Sequence, residues 1–202
     1  MIARRQPNIT VVLENVHDPH NLGAVMRSCD AIGIMKIHVC VTEKVRPSKT
    51  WLGKKSSAGS RKWVDVETYN DIEACFKAVR AESQMIYGTY LHDENLDKPH
   101  HQLYDLDLTG SVALVFGNEL RGLSEAAANL CDAHFLVPQM GMAESLNVSV
   151  ACAVSLYEAM RQRLAIGAYE KPFFSAEEQN VMYADYVKRG VERKGDMKLD
   201  FR

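Results

Sequence analysis

A mostly parallel β-sheet with helices on both faces is the fold class this 202-residue sequence predicts. Short apolar runs alternate with helical patterns along most of the chain, the order that βαβ units produce. Runs such as 112–116, Val-Ala-Leu-Val-Phe, are apolar at successive positions, as strands buried on both faces require.

Taken in order, residues 9–13 read as a strand, 21–32 as a helix, 36–41 as a strand, 71–80 as a helix and 85–90 as a strand. A strand over 112–116, a short helix over 124–130, a strand over 135–137 and a long helix over 146–164 follow. The stretch from Leu91 to Gly110 is polar and acidic with Pro99 at its centre, and is expected to be an exposed connection. After Arg163 the composition shifts, and residues 175–188 have helical character. The chain therefore divides into a domain over 1–165 and a C-terminal extension over 166–202, read as helical and RNA-contacting.

Composition narrows the function classes. The chain is 47% hydrophobic and 25% charged, a globular balance, and its net charge of -2 excludes a generic polyanion binder. No apolar run reaches the roughly 18–20 residues of a membrane helix, and residues 1–7 lack the apolar core of a secretion signal, so a cytoplasmic protein with no membrane contact is expected. Cys29, Cys40, Cys75, Cys131 and Cys152 are scattered and never form Cys-x-x-Cys, which argues for small core residues over disulfides or a metal site. His17 and His20 have no further ligands spaced to complete a metal site, and none is expected.

Local charge is more informative. From Lys44 to Lys62 there are seven cations, including Lys54, Lys55 and Arg61, and no acid, with Trp51 among them. The segment reads as a solvated loop or as a phosphate-contacting loop with an aromatic available for stacking.

Three segments carry chemistry. In the first, residues 15–27, the helix stripe Leu22, Val25, Met26, Cys29 and Ile32 is apolar, and Gly23 and Arg27 fall off it, so Arg27 faces something other than its own core. In the second, 113–124, Gly117 stands where a buried strand turns toward a helix and would let backbone approach a ligand. Glu119 follows it, and Gly-x-Gly-x-x-Gly is absent from the chain, which argues against a standard dinucleotide site. In the third, 137–151, a glycine-containing loop leads into the long helix, with Ser145 placed to cap it.

Together and in this order, the three segments resemble the motifs of the SPOUT-class RNA 2'-O-methyltransferases, most closely the TrmH-type tRNA (guanosine-2'-O)-methyltransferases. The resemblance runs from Arg4-Arg5-Gln6-Pro7 to Arg161-Gln162-Arg163 and includes Ser57-Ala58-Gly59-Ser60, Trp63 and Gly167-x-Tyr169. It implies a C-terminal trefoil knot, rare among folds in general, and S-adenosyl-L-methionine (AdoMet) as methyl donor, held near Thr89, Gly117, Val137, Met142 and Leu146. It implies Arg27 at the ribose with Asn21, Glu119, Ser145 and Asn147 around it, in a site shared by two subunits of a homodimer joined through the long helix.

A guanidinium stays protonated, so the role read for Arg27 is to anchor a phosphate and stabilise the developing alkoxide. The RNA-contacting residues are taken as Lys54, Lys55, Arg61 and Arg121. tRNA, at the guanosine of D-loop position 18, is the expected substrate, favoured by the arginine-rich tail and the Trp63 region. rRNA ribose methylation and a non-catalytic RNA-binding module of the same fold are the alternatives. Three features depart from the family pattern. Only three residues precede Arg4, Glu144 stands where a glutamine is expected, and the 91–110 connection is long.

Overall fold

The computed structural model describes residues 1–43, 59–90, 98–143 and 145–192. Seven strands form one parallel sheet: β1 (Ile9–Glu14), β2 (Lys36–Cys40), β3 (Asp65–Tyr69), β4 (Met85–Thr89), β5 (His100–Gln102), β6 (Val112–Phe116) and β7 (Ala133–Leu136). Their spatial order is β3-β2-β1-β6-β4-β7-β5. The α-helices among the described residues are α1 (Pro19–Ile32), α2 (Ile72–Glu82), α3 (Glu125–Leu130), α4 (Val148–Ala165) and α5 (Ala176–Glu192).

Alternation along the central strands feeds two cores. Ile9, Val11 and Leu13 of β1 and Leu114 of β6 face Leu22, Val25, Met26 and Cys29 of α1 and Cys152 and Leu156 of α4. Val12, Ala113 and Val115 face Cys75, Phe76 and Val79 of α2 and Ala127 of α3. All five cysteines are buried thiols, as their scattered spacing suggests.

Helix ends follow local chemistry. Helix α1 begins at Pro19, two residues before the periodicity suggests, because Asp18 caps it by accepting from the His20 amide (2.8 Å) and proline suits the first turn. It ends at Gly33, whose φ of 93° favours glycine, and a Cβ there would lie 2.6 Å from the Arg4 carbonyl oxygen. The cap of α4 is Asn147, which accepts from the Ser149 amide, so the helix starts after Ser145 and Leu146 rather than at them.

Two strands escape periodicity. β3 reads Asp-Val-Glu-Thr-Tyr and lies at the sheet edge, where Thr68 is buried and Val66 and Tyr69 pack only partly on the two cores. β5 falls inside the stretch expected to be an exposed connection. Residues 91–97 of that stretch lie outside the described residues, but Leu103, Leu106 and Leu108 are buried. The Gln162 side chain of α4 draws them in, donating to the Leu106 carbonyl (2.9 Å) and accepting from the Leu108 amide (2.8 Å).

The C-terminal helix is docked on the sheet edge. Tyr186 meets Trp63 edge-on at 5.3 Å, Arg189 pairs with Asp65 at 2.6 Å, and Lys62 donates to the Gly190 carbonyl at 3.2 Å. Among the described residues of this end, Arg163 is fully buried, Arg161 pairs with Glu158, and Arg189 is held by Asp65 and Asp185, while Arg193 and Arg202 lie outside the described residues.

One buried group makes stability depend on pH. His38 of β2 is fully buried, stacks on Tyr69, and has no hydrogen-bond partner at either ring nitrogen among the described residues. Burial lowers its pKa from 6.5 to about 4, against the opposing charge of Glu67 at 3.7 Å. The unfolded chain therefore takes up this proton near pH 6.5 and the folded protein only near pH 4. Stability is full above pH 6.5 and falls between these values by up to ~1.4 kcal/mol per pH unit. Urea midpoints measured across that window are expected to slope downward with acid, and His38→Phe to flatten the slope. An unchanged slope in the variant would refute the assignment.

Candidate functional site

The carboxyl ends of parallel strands, where strand order reverses, are where open α/β sheets bind ligands. Here β6 lies between β1 and β4, and β4 pairs with β7. The register aligns Gly88 with Val115 and Thr89 with Phe135, which brings Thr89, Gly117 and Val137 to one edge of the sheet. Three neighbouring strand ends thus supply the residues expected at a cofactor.

A chain of hydrogen bonds joins the three motif segments at that edge. Ser149 donates its amide (2.9 Å) and hydroxyl (2.6 Å) to Asn147 Oδ1. Asn147 Nδ2 donates to Asn21 Oδ1 at 3.0 Å, and Asn21 Nδ2 donates to Glu119 Oε1 in a short contact. The amides are thereby oriented: Asn21 spends its oxygen on α4 and its NH2 on the carboxylate. Asn21, Glu119 and Asn147 come together although 98 and 126 residues separate the bonded pairs.

The remaining expected residues are placed less tightly. Arg27 is exposed on α1, as its position off the apolar stripe requires, whereas Gly23, expected beside it, is buried. Six residues at 1.5 Å each put Arg27 about 9 Å along the axis from Asn21. Ser145 is exposed and Leu146 half-buried, while Met142 and Met140 are fully exposed at 103% and 96%. Val137 packs partly on the core, and Thr89 Oγ1 donates to the Val115 carbonyl at 3.1 Å, so its hydroxyl is engaged within the sheet. Arg121 is 82% exposed and reaches Glu43 at 3.6 Å. Lys54, Lys55 and Glu144 lie outside the described residues, as does the side chain of Arg61.

Gly117 also has a packing reason to be glycine. A Cβ there would fall 2.1 Å from the Gly122 carbonyl carbon, so the missing side chain makes room for the chain itself. Asn118 and Gly122 then exchange backbone hydrogen bonds at 3.0 and 2.8 Å, closing a tight turn that displays Glu119, Leu120 and Arg121 to solvent. His17 pairs with Glu43 at 2.8 Å, and His20, in the first turn of α1, contributes its amide to the Asp18 cap.

Sequence reasoning missed Glu14, a carboxylate buried to 1% at the end of β1. It accepts from the Ser124 amide (2.8 Å) and hydroxyl (2.5 Å), while Ser124 caps α3 through the Ala127 amide (3.1 Å). The far end of the Glu119 turn is therefore tied to the central strand. A carboxylate closing an otherwise apolar run was the available signal, since a charge in that place needs a partner.

A cleft of about 760 Å³ lies elsewhere, between residues 1–5, Trp63 and the Tyr183–Tyr186–Val187 face of α5. It contains no residue of the three motif segments 15–27, 113–124 and 137–151.

The profile of the SpoU rRNA methylase family matches residues 8–157. The chain is 38% identical over 189 residues to a tRNA (guanosine(18)-2'-O)-methyltransferase of Thermus thermophilus, covering 94% of this chain and 93% of that protein. Among solved structures it resembles the TrmH/SpoU tRNA modifying enzyme of Aquifex aeolicus, with a TM-score of 0.80 and 31% identity over 95% of this chain and 93% of that one. It also resembles the SpoU methyltransferase AviRb of Streptomyces viridochromogenes in complex with AdoMet, with a TM-score of 0.66 and 30% identity over 79% of this chain and 60% of that one.

Proposed function

This chain belongs to the SpoU rRNA methylase family, and on that footing we propose that it transfers a methyl group from AdoMet to the ribose 2'-hydroxyl of a guanosine in tRNA, at D-loop position 18. The observation that carries the tRNA assignment is the near full-length match to a tRNA (guanosine(18)-2'-O)-methyltransferase, which extends beyond the family's common region at the C-terminal end. Ribosomal RNA is the second reading, favoured by the family's own description.

AdoMet supplies an electrophilic methyl group when bound. The strand ends fit such a ligand, because Thr89, Gly117 and Val137 line one edge of three adjacent strands. Met142 and Leu146, on the loop before α4, are assigned to the same ligand. Arg27 anchors a ribose phosphate and stabilises the developing alkoxide with its charge-assisted donors. Asn21, Glu119 and Asn147 hold one another in a fixed array that orients the ribose, with Ser145 beside them. Arg121, exposed at the rim, and Lys54, Lys55 and Arg61 of the basic segment take the RNA backbone.

The same reading includes a homodimer, a C-terminal trefoil knot and a cytoplasmic location. The exposed face of α4 supports the dimer, since Val150, Tyr157 and Leu164 recur every seven residues at about half exposure, an apolar seam suited to a partner helix. In this reading the site is completed by residues of both subunits. Residues 1–165 form the methyltransferase domain in this reading, and 166–202 an extension that contacts RNA.

Incubation of the protein with methyl-labelled AdoMet and, separately, total tRNA and rRNA tests the proposal. Label mapped to the 2'-oxygen of the D-loop guanosine is expected. Label confined to rRNA would move the assignment to the second reading, and AdoMet binding without transfer to either RNA would point to a non-catalytic RNA-binding module.

A further inference from the structure

Asn15 follows the last residue of β1 and is the sole non-glycine residue with positive φ (52°) among the described residues. Its backbone carbonyl accepts from Asn118 Nδ2 at 2.8 Å, and Asn118 Oδ1 accepts in turn from the Leu120 amide at 2.8 Å, so the two bonds bracket Glu119. Its side chain points the other way. Oδ1 accepts from the amides of Thr42 (2.9 Å) and Glu43 (3.4 Å), and Nδ2 donates to Thr42 Oγ1 at 3.0 Å. Glu43 reaches both His17 and Arg121.

We propose that Asn15 is a positioning residue for methyl transfer, holding the Glu119 turn in register with Asn21 and fixing the segment after β2 against both. The residue type is constrained twice. Asparagine tolerates the left-handed conformation that most side chains avoid, and its amide presents donor and acceptor together to the Thr42–Glu43 backbone. Glycine meets the first requirement and fails the second; alanine fails both. The Asn21–Glu119 contact depends on this junction because the turn bearing Glu119 is otherwise anchored on its far side, by Glu14 to Ser124.

The inference rests on the methyl-transfer reading, so wild-type transfer to tRNA is measured first. Asn15→Gly, Asn15→Asp and Asn118→Ala are then compared for kcat at saturating tRNA and AdoMet, KM for each substrate, and Tm. Asn15→Gly and Asn118→Ala are expected to lower kcat about tenfold or more, the scale of rate loss when reacting groups drift by a fraction of an ångström, with Tm falling only a few degrees. Asn15→Asp keeps the backbone tolerance and the acceptor oxygen, and is expected to recover most of kcat. Wild-type kcat in both losing variants, with the change confined to Tm, would overturn the inference, as would loss of the fold in both. A wild-type protein that transfers nothing to either RNA would overturn the methyl-transfer reading itself, and this inference with it.

Discussion

Arg27→Ala is expected to lower methyl transfer by roughly 10²–10³-fold or more, the loss that follows removal of a donor facing a developing oxyanion, while AdoMet affinity stays largely unchanged. The two effects separate because Arg27 projects from the exposed side of α1, whereas the strand ends assigned to the cofactor belong to β4, β6 and β7. The fold is expected to tolerate the change, since the core contacts of α1 come from Leu22, Val25, Met26 and Cys29. Arg27→Lys keeps the charge and loses the planar fork, so partial activity distinguishes a bidentate phosphate anchor from a simple point charge. Transfer from labelled AdoMet and calorimetric AdoMet binding are the two measurements. Equal activity in the alanine variant would dismiss Arg27 from the mechanism.

Arg163→Ala should have the largest effect on stability, a loss of roughly 3–5 kcal/mol, as expected when one member of a buried charged network is deleted. The guanidinium is completely buried in α4, and burial draws its pKa below the usual arginine value. Its donors go to carbonyl and amide oxygens: Leu108 (3.0 Å) and Gly110 (2.5 Å) before β6, and the side chains of Gln6 (3.0 Å) and Asn8 (2.7 Å) before β1. The charge is balanced by oriented dipoles, and the two central strands are pinned at their entry to one helix. Deletion would strand these acceptors at about 1 kcal/mol each or more and leave a void as well. Urea denaturation reads the loss, and Arg163→Lys, with three donors on a flexible stem, should recover only part of it. A change below about 0.5 kcal/mol, within the range of ordinary surface substitutions, would show that the clamp is dispensable.

How far the sequence reached depended on whether a signal was local. Strands β1 and β6 were legible because both faces are buried and the apolar run is continuous. α1 was legible from its stripe, with only its first turn misjudged at Pro19. β3 and β5 were not, because both are short edge strands rich in polar residues: β3 reads Asp-Val-Glu-Thr-Tyr and β5 His-His-Gln. Asn147 was singled out for the site, but its service as the α4 cap was given to Ser145, since both residue types cap helices and only the backbone decides between them. At the site, Asn21, Glu119 and Asn147 were found by motif. Glu14, Asn15 and Asn118 were passed over because an Asn in a turn or a Glu at a strand end is unremarkable until its partner is known.

The sequence by itself determined the fold class, the family, the apolar stripe that leaves Arg27 outside the core, and the glycine of the turn before Glu119. Each of these is read from local patterns and from their order along the chain. Only the tertiary structure decided that Arg163 is an internal clamp, that Gly117 makes room for Gly122, and that Asn15 joins the turn of Glu119 to the segment after β2. The physical reason lies in the strand order. Placing β6 beside β1 brings residues about a hundred positions apart within hydrogen-bond distance, and no local pattern of charge or hydropathy encodes which strand becomes whose neighbour.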